Sequence, residues 1–588
     1  MRIDRQHHLQ FLEDELKAET EEFKKKFMTT AISLLEQSEE MFVGQFISFK
    51  DGEMIMKFPN SRSLPRKGEF LLCMLLPSDL RSYKNWRNIT YCDLYKQRFN
   101  ETESVCIWHK PADDKRFSIV GFSKISLDFA NQIKESPGVI LVFAPQRPPI
   151  DYVANLQRVV NDRFSSSISS VLDTNFSQQD WDPILITHNN VSDFVYNQLN
   201  LTDTMILQGP PGTGKTYMIA ELCERLCSEG KSVLVTALTN RALMEIAEKP
   251  AVSKMLADGK IFKTNITTDE YKEASKLVPI KQVAPIPSAL VLSTYYITSG
   301  FAADLSIEQP FDYVIMDEAS QALLSMFAAS RKMGKKNLLV GDIQQLSPII
   351  SLNGDRVKFG NYQTMIDGLK VLADNSSFPI YQLTNTYRFS QRSADYTGIF
   401  YNGTLKAVKP FNSPIMPSMS KIFSEEGGPT LMLTDMISGD YKPNFAIMLA
   451  AYIVGCLLND DKKKDIAVLT CMRDTTRALQ KAITQNVGSY SNVLIDTVAR
   501  IQGLTTDITL FFVPNASYIW TLEPHLFNVA TSRAKEHTII VADKNVLRYP
   551  TLKPLVRKYL ERLREERSIY IPSRKSDVKS IGQTFFLE

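Results

Sequence analysis

Long apolar runs are missing from the sequence. It has no stretch of about 18 consecutive apolar residues, the length that a membrane-spanning helix requires. The opening segment, MRIDRQHHLQFLEDELK, also lacks the apolar centre of a signal peptide. We therefore expect no membrane partner and a cytoplasmic protein.

Cysteine and histidine are scarce. The seven cysteines are scattered without the spacing of a disulfide framework, which favours a reducing compartment. Cys223 and Cys227 lie one helical turn apart, but no other cysteine or histidine is near them in the sequence, so packing is the better interpretation. The six histidines form no ligand cluster. The sequence thus predicts no cysteine-rich zinc domain, and it contains no convincing nuclease motif.

A large net charge is missing too. The 588 residues carry a formal net charge of only +3, so any basic surface that binds nucleic acid must be local. The hydrophobic content of 44% and the charged content of 23% are typical of a protein that buries large cores. The length predicts about three or four domains.

The first part of the chain combines helical and strand patterns. An apolar stripe predicts one long helix over residues 5–38, and residues 151–172 are its expected partner. Several short strands lie between them, and the first two flank Asp51-Gly52, a strong hairpin signal. We expect a domain over residues 1–182 that carries a small β-barrel, at about 40–148, on a helical stalk.

From residue 183 onward, buried strands alternate with helices. This pattern predicts parallel sheets with sites at the carboxyl ends of their strands. Two similar α/β domains are expected, at residues 183–375 and 376–550. The second begins with the strand PIYQLTNT, and a charged, partly helical tail follows at 551–588.

The segment GPPGTGKT fits the G-x-x-x-x-G-K-[ST] pattern of a phosphate-binding loop. Its glycines let the backbone curl so that N–H groups face phosphate oxygens, and an apolar strand before it and a helix after it fit the same motif. Lys215 supplies a charge for the β- and γ-phosphates, and Thr216 supplies a hydroxyl for Mg²⁺. The alternative is a chance glycine-rich turn. The predicted nucleotide-binding loop consists of Gly209, Pro210, Pro211, Gly212, Thr213, Gly214, Lys215 and Thr216.

Further polar residues follow other strands of the first α/β domain. Asp317 and Glu318 end an apolar strand, where Asp317 can hold Mg²⁺ and Glu318 can deprotonate the attacking water. The alternative is an acidic pair that caps a helix. In GDIQQLSP, the amide of Gln345 can sense the γ-phosphate.

The second α/β domain has no phosphate loop but supplies aromatic and basic candidates. Tyr387 can stack on adenine, and Arg388 and Arg533 can neutralise charge on the γ-phosphoryl group if the domain closes over the nucleotide. We expect Arg533 to begin a helix or to lie within one. The alternative is a core tyrosine and ordinary surface salt bridges.

The motifs GPPGTGKT, DEASQ, GDIQQLSP, TYR, ARIQGLTTD and VATSRAK occur in the order found in superfamily-one helicases. The chain resembles the Upf-like group of that superfamily over about residues 183–545. The resemblance implies two RecA-like domains in tandem, with ATP and Mg²⁺ bound between them. It also implies movement from 5′ to 3′ on single-stranded RNA or DNA.

The resemblance carries roles to matching residues. Lys215, Thr216, Asp317 and Glu318 would run hydrolysis; Gln345, Arg388 and Arg533 would act on the γ-phosphate, and Tyr387 would contact adenine. Gln502 and Gly503 match a Gln-Gly step, with Gly503 beside the nucleotide. Contacts to the nucleic-acid backbone would come from Thr239, Asn240, Thr294 and Thr497, because small polar groups position a strand without reading its sequence.

Two positions depart from the family pattern. Thr505 stands where the family usually has a glutamate, which puts one ribose or water contact in doubt. Asn190 stands where the adenine-reading glutamine is expected, so selectivity for adenine is looser in our prediction than binding of a triphosphate.

Two functions stay open at this point. The first is an ATP-driven helicase or translocase, and the second is an ATP-gated clamp or regulatory ATPase that does not unwind. A metabolite kinase would leave the second α/β domain unexplained. The sequence does not choose between RNA and DNA, because no motif reports contacts to the 2′-hydroxyl. It names no protein partner and no oligomeric state.

Overall fold

The computed structural model describes residues 4–573 except for 62–63, 66–67, 79–85, 115, 147, 174–182, 188–189, 375–377, 413–415, 489–491, 502 and 516–518. The described chain forms a helical stalk with a closed barrel and two α/β units, each built on a parallel sheet. These features confirm the predicted fold class. None of the helices in these ranges is long and apolar enough to cross a membrane.

The stalk differs from the predicted continuous helix over 5–38. The helix Arg5–Phe23 continues as a π-helical turn, Lys24–Met28, and a separate helix follows at Ile32–Gln37. The break has a structural cause: the backbone N–H of Ile32 donates to the carbonyl of Ile89, so this stretch pairs with another segment instead of continuing the helix.

The predicted partner of the first helix packs against it, but it is shorter than expected. The helix Ile150–Asn161 contacts Arg5–Phe23, and a second short helix, Ser169–Leu172, follows a loop. Buried Val153, Leu156 and Val160 supply the apolar face of the longer helix.

Six antiparallel strands close into the barrel. Both residues of the Asp51-Gly52 turn have left-handed φ angles, +55° and +83°, as a two-residue type I′ hairpin turn requires. Phe122 and Phe143 stack inside the barrel with ring centroids 4.4 Å apart. In order around the barrel, the strands are Phe42–Lys50, Glu53–Pro59, Phe117–Ser123, Asn100–Pro111, Phe70–Leu75 and Ile140–Pro145; its helices are Tyr91–Gln97 and Leu127–Ile133.

The barrel is docked on the first α/β unit by hydrogen bonds. The backbone N–H of Leu127 donates to the carbonyl of Ile266 at 2.9 Å, and the N–H of Thr268 donates to the carbonyl of Ile125 at 2.7 Å. The N–H of Lys124 also donates to the Asp269 carboxylate at 3.1 Å. One end of the barrel is therefore held against the first α/β unit.

The first α/β unit contains nine parallel strands with an apolar core on each face. Across the sheet they are Val278–Ile280, Ile261–Thr264, Ala289–Thr294, Ser232–Ala237, Phe311–Met316, Gly334–Gly341, Thr204–Gln208, Ile380–Leu383 and Ile184–Ile186. Its helices are Val191–Leu201, Lys215–Ser228, Asn240–Ala247, Ser253–Ala257, Thr268–Glu273, Tyr295–Asp304, Leu324–Met333, Gly354–Gly360, Gln363–Ile366 and Gly368–Asp374.

The strand Ile380–Leu383 corrects the predicted assignment of PIYQLTNT to the second unit. It pairs with Thr204–Gln208 on one side and with Ile184–Ile186 on the other. The first sheet therefore extends past residue 375, where the sequence placed the boundary.

The second α/β unit contains six parallel strands, again with a core on each face. The strands are Val493–Thr497, Ile466–Thr470, Thr506–Phe512, Ala534–Asp543, Gly428–Thr434 and Ser568–Ile571, and the helices are Gln391–Thr397, Asn444–Asp460, Arg473–Val487, Pro524–Thr531 and Pro554–Glu566. The last helix and the last strand lie in the predicted tail. Because Ser568–Ile571 pairs with Gly428–Thr434, this part of the tail belongs to the second unit.

Candidate active site

The phosphate-binding loop joins the strand Thr204–Gln208 to the helix Lys215–Ser228. Gly212 and Gly214 have left-handed φ angles of +74° and +82°. A Cβ atom on Gly212 would lie only 2.4 Å from the Cβ of Arg388, so a larger residue does not fit there. No side chain caps the helix start, which leaves its first N–H groups directed at an anion site.

Lys215 lies against its own loop. Its ammonium group donates hydrogen bonds to the carbonyl oxygens of Gly209 and Pro210. Burial lowers its pKa because desolvation disfavours the charged form, while the carboxylates of Asp342 and Asp317 act in the opposite direction. The lysine therefore lies between the loop and the acidic strand ends.

Asp317 and Glu318 follow the strand Phe311–Met316. The N–H of Glu318 donates to the Asp317 carboxylate at 2.9 Å. Glu318 has left-handed backbone angles, φ 54° and ψ 36°, which are strained for a residue other than glycine. Its side chain forms no helix cap, so the structure does not support the helix-capping interpretation.

The environment of Glu318 suits a general base. Burial, followed by the charge of Asp317, raises the pKa of Glu318 to about 8. Its Oε2 atom is buried and forms no hydrogen bond within the described part of the chain. Burial also raises the pKa of Asp317 to about 6. A perturbed carboxyl group with a free oxygen in a cleft is typical of a catalytic site.

Arg388 and Arg533 approach this strand end from other segments. Arg388 donates to the carbonyl of Ser532 at 2.8 Å, and Arg533 donates to the amide oxygen of Gln345 at 3.4 Å. Neither guanidinium group forms a salt bridge with a described carboxylate, which argues against a surface salt-bridge role. Burial lowers the pKa of both groups, and the charge of Arg533 lowers that of Arg388 further.

The position of Arg533 differs from the prediction. It lies after the helix Pro524–Thr531 and directly before the strand Ala534–Asp543. Only 2% of the residue is exposed, and its Nε donates to the carbonyl of Val529 at 2.9 Å. The end of the helix therefore orients the guanidinium group towards the cleft.

Three further polar residues join the two α/β units, and the sequence analysis did not identify them. The Asp342 carboxylate accepts hydrogen bonds from Gln345 at 2.6 Å and from the Tyr401 hydroxyl at 2.7 Å. The Asn528 amide donates to the Tyr401 oxygen at 2.8 Å. Asp342 could have been found from GDIQQ, and Asn528 directly precedes the VATSRAK motif, but Tyr401 lies in a segment with no motif.

Asp342, Glu318 and both arginines line one cleft of about 1460 Å³ between the two units, whereas Tyr401 and Asn528 are not among its lining residues. Tyr387 is 48% exposed, and its backbone N–H donates to the carbonyl of Gly212 at 2.8 Å, which places its ring beside the loop. Of the predicted residues, the cleft is lined by Asn190, Pro211, Gly212, Thr213, Gly214, Lys215, Thr216, Thr239, Asp317, Glu318, Gln345, Tyr387, Arg388, Gly503 and Arg533. Gly209 and Pro210 do not line it.

The two departures from the family pattern lie at the rim of this cleft. The Asn190 side chain caps the helix Val191–Leu201 by accepting from the N–H of Asp193 at 3.2 Å. A Cβ atom on Gly503 would lie 3.5 Å from a Glu318 carboxylate oxygen, and Thr505 also lines the cleft. The predicted Gln502 lies outside the described residues.

The four predicted nucleic-acid contacts come from both α/β units. Thr239 lines the cleft and caps the helix Asn240–Ala247. The Asn240 side chain accepts a hydrogen bond from Lys263 at 2.9 Å. Thr294 is 7% exposed, and Thr497 ends a strand of the second sheet. All four follow or end strands at the carboxyl edge of their sheets.

Thr216 and Asp317 are the candidate metal ligands. Within the described ranges, no group of three or more histidine, cysteine, aspartate or glutamate side chains is arranged to hold a metal. A hydroxyl and a single carboxylate suit Mg²⁺, which usually keeps several waters and uses substrate phosphates as further ligands.

Comparisons with known proteins agree with this architecture. Two different family models, each described as an AAA domain, match residues 195–351 and 368–545. The DNA replication ATP-dependent helicase/nuclease DNA2 of Saccharomyces cerevisiae is 25% identical over 413 residues, and its Homo sapiens counterpart is 26% identical over 426 residues. These matches bear out the resemblance of the chain to the Upf-like group of superfamily-one helicases. The phosphate loop and Glu318 fall in the first match, and Arg533 falls in the second.

The chain aligns with only part of the length of these relatives. The alignments cover 63% of the chain and 27% of the yeast protein, and 64% of the chain and 38% of the human protein. The crystal structure of Arterivirus nonstructural protein 10 (helicase) aligns with 12% identity and a TM-score of 0.36, over 83% of the chain and 79% of the viral protein.

Proposed function

We propose that the chain is an ATP-dependent helicase that translocates from 5′ to 3′ along single-stranded RNA or DNA. One observation carries the proposal: Arg533 of the second α/β unit reaches the cleft that holds Lys215 and Glu318 of the first unit. A site assembled from both units couples nucleotide chemistry to their relative position. That coupling is what a motor requires.

The residues of the cleft fit a bound nucleotide and its metal ion. The loop amides and Lys215 would hold the phosphates, and the exposed ring of Tyr387 would stack on the base. Thr216 and Asp317 would hold Mg²⁺, which neutralises charge on the β- and γ-phosphates. Asn190 is engaged as a helix cap, which supports looser selection for adenine.

The side chains around the γ-phosphate position have distinct tasks. Glu318 would accept a proton from the attacking water through its unpaired oxygen. Arg388 and Arg533 would stabilise the charge that grows on the transferred group, and Gln345 would orient the water or the phosphate. Removal of that charge weakens the attraction between the units, so the cleft opens again after hydrolysis.

Strand separation tests this function. With ATP and Mg²⁺, we expect ATPase stimulation by single-stranded RNA or DNA oligonucleotides at fixed salt, and unwinding of duplexes that carry a 5′ overhang. Matched RNA and DNA substrates would identify the preferred strand. Blunt duplexes serve as the control. Unwinding from a 3′ overhang alone would contradict the direction, and strand-stimulated ATPase without unwinding would assign the chain as a clamp or regulatory ATPase.

Tyr401 provides a second test of the shared site. We expect Tyr401→Phe to lower kcat for ATP by about tenfold, because the Asp342 carboxylate and the Asn528 amide each lose a buried hydrogen bond. The KM for ATP should change by less than about threefold, since no phosphate contact is removed. Steady-state ATPase assays measure both constants.

Two comparisons separate a positioning role of Tyr401 from a general loss of stability. Tyr396 lies on the same segment as Tyr401, and its hydroxyl donates to the Glu566 carboxylate at 2.7 Å. Tyr396→Phe removes this bond, and kcat should stay near wild type. In a Gln345→Ala background, Tyr401→Phe should have little further effect, because the group that it positions is gone. Fully additive losses in the double variant would contradict the role.

A further inference from the structure

Three parts of the molecule meet at one aromatic ring. Phe70 begins the barrel strand Phe70–Leu75 and is 39% exposed. The ammonium group of Lys124, also on the barrel, lies 5.2 Å from the centroid of this ring. The guanidinium carbon of Arg500, on the second α/β unit, lies 5.8 Å from the same centroid.

Among the described residues, no acidic side chain is paired with either cation. Neither Lys124 nor Arg500 forms a salt bridge with a carboxylate of the described ranges, and Arg500 is exposed. Two like charges beside one ring repel each other, and the cation–π attraction of each is modest at an exposed site. An anion bound between them would remove the repulsion. A ring between two unpaired cations therefore fits a ligand with an aromatic face and a negative charge.

The surroundings of the ring favour a nucleic-acid strand as that ligand. Arg500 lies three residues after Thr497, at the carboxyl edge of the second sheet. On the other side, the backbone N–H of Lys124 donates to the Asp269 carboxylate of the first α/β unit. The neighbouring Glu270 holds Lys263 at 3.0 Å, and Lys263 holds Asn240. Hydrogen bonds thus connect the segment of Lys124 to that of Asn240, and Arg500 follows Thr497 closely in the chain; Asn240 and Thr497 are two of the predicted backbone contacts.

We propose that Phe70, Lys124 and Arg500 form a binding site for one nucleotide of the single strand. The Phe70 ring stacks on a base of any sequence, and the two cations hold the neighbouring phosphates. This inference rests on the proposed function, because it assumes that the chain binds single-stranded nucleic acid. It assigns the contact to three residues that no motif of the sequence indicates.

The arrangement also links the site to the nucleotide cleft. Phe70 and Lys124 are held against the first α/β unit through the docked barrel, whereas Arg500 moves with the second unit. A change in the distance between the units therefore changes the distance between Arg500 and the ring. The strand is gripped more tightly in one state of the cleft than in the other.

Binding of labelled oligothymidylate and oligouridylate to the full chain, measured by fluorescence anisotropy over a series of salt concentrations, tests the site. We expect Phe70→Ala to weaken binding by about 10- to 100-fold, with little change in the salt dependence. Phe70→Trp should retain affinity, because the larger ring still stacks. Arg500→Gln and Lys124→Gln should each reduce the slope of log K against log salt by about 0.7.

Phe99→Ala is the matched control. Phe99 lies on the same barrel and is 68% exposed, with no cation over its ring among the described residues. Its replacement should change affinity by no more than about twofold. If Phe70→Ala binds as tightly as wild type, or if Phe99→Ala loses as much as Phe70→Ala, the site is overturned.

The outcomes separate this site from the proposed function. A wild-type chain that binds neither oligonucleotide overturns both. A wild-type chain that binds them, with Phe70→Ala and Arg500→Gln unchanged in affinity and salt slope, overturns the site alone and leaves Phe70 as a contact between the barrel and the second unit. Loss of affinity in Phe70→Ala that Phe70→Trp restores supports base stacking.

Discussion

Replacement of Arg533 by alanine is expected to lower the rate of ATP turnover by about 10³–10⁵-fold. The guanidinium group comes from the second α/β unit, yet it contacts Gln345 of the first. Its charge acts on negative charge that grows during phosphoryl transfer, so its removal raises the barrier more than it weakens ground-state binding. The expected loss is therefore in kcat.

Nucleotide binding should survive this substitution. Lys215 and the loop amides still hold the phosphates, and their geometry does not depend on Arg533. Arg533→Ala should also bind single strands. Single-turnover hydrolysis and equilibrium binding of a fluorescent ATP analogue measure the two properties separately. Arg533→Lys, which keeps the charge but loses the planar fork, should recover only part of the rate.

Arg567→Ala is a suitable control for the loss of an arginine that binds backbone carbonyls, although Arg567 is only half-buried. Arg567 also lies in the second unit and donates to backbone carbonyls, those of Ile422 and Phe423, away from the cleft. Its replacement should lower the melting temperature without a large effect on kcat. If Arg533→Ala turns over ATP within about tenfold of wild type, a barrier change of only ~1.4 kcal/mol, the shared-site mechanism is wrong.

Glu318→Gln is expected to abolish turnover while ATP still binds. The amide has nearly the same shape but cannot accept the proton of the attacking water. Asp317, Thr216 and Lys215 are untouched, so binding of ATP and Mg²⁺ should remain and the closed state should accumulate. Filter binding and single-turnover assays check the two halves of this prediction. Normal hydrolysis by the variant would show that Glu318 has only a structural role.

Glu318→Gln is also expected to be more stable than the wild type, by an amount that depends on pH. The folded-state pKa of Glu318 is raised from 4.5 to about 8, so the native state holds an extra proton between these values. The free energy of unfolding of the wild type therefore falls as pH rises through this window, and the loss is complete above pH 8. Glutamine stays neutral throughout. In thermal melts, the melting temperature of the variant relative to that of the wild type should rise from about pH 5 to pH 8.5.

Glu245→Gln is the matched control for the loss of one acidic charge near the site. Glu245 pairs with Arg241 at 3.2 Å, and its charge contributes to the raised pKa of Glu318. Its replacement should leave turnover largely intact. An equal loss of turnover in both variants would mean that the local charge, and not the base, limits the reaction.

Much of the site could be predicted from sequence because its parts are local. The phosphate loop needs glycine at two left-handed positions and an adjacent helix start, and all of these lie within the eight residues Gly209–Thr216 and their flanks. Asp317 and Gln345 follow buried strands, and parallel strands in one sheet bring their carboxyl ends to one edge. Local backbone preference and strand order were therefore enough to place them near the loop.

Other predictions failed where distant segments compete for the same backbone. Residues 5–38 have a helical pattern, but the pairing of Ile32 with Ile89 ends the helix. The strand Ile380–Leu383 has an apolar pattern that fits either sheet, and only its neighbours Thr204–Gln208 and Ile184–Ile186 decide which one it joins. Periodicity reports which face of an element is buried, but it does not report the partner that buries it.

The sequence by itself determined the class of the protein and the family resemblance, and it predicted the residues of the nucleotide site, because each depends on short motifs and their order. The tertiary structure decided how those motifs act together. It joins Gln345 to Asn528 through Asp342 and Tyr401, and it brings Arg500 to Phe70. These contacts link residues far apart in the chain, and their energy depends on burial and distance, which only the folded chain sets.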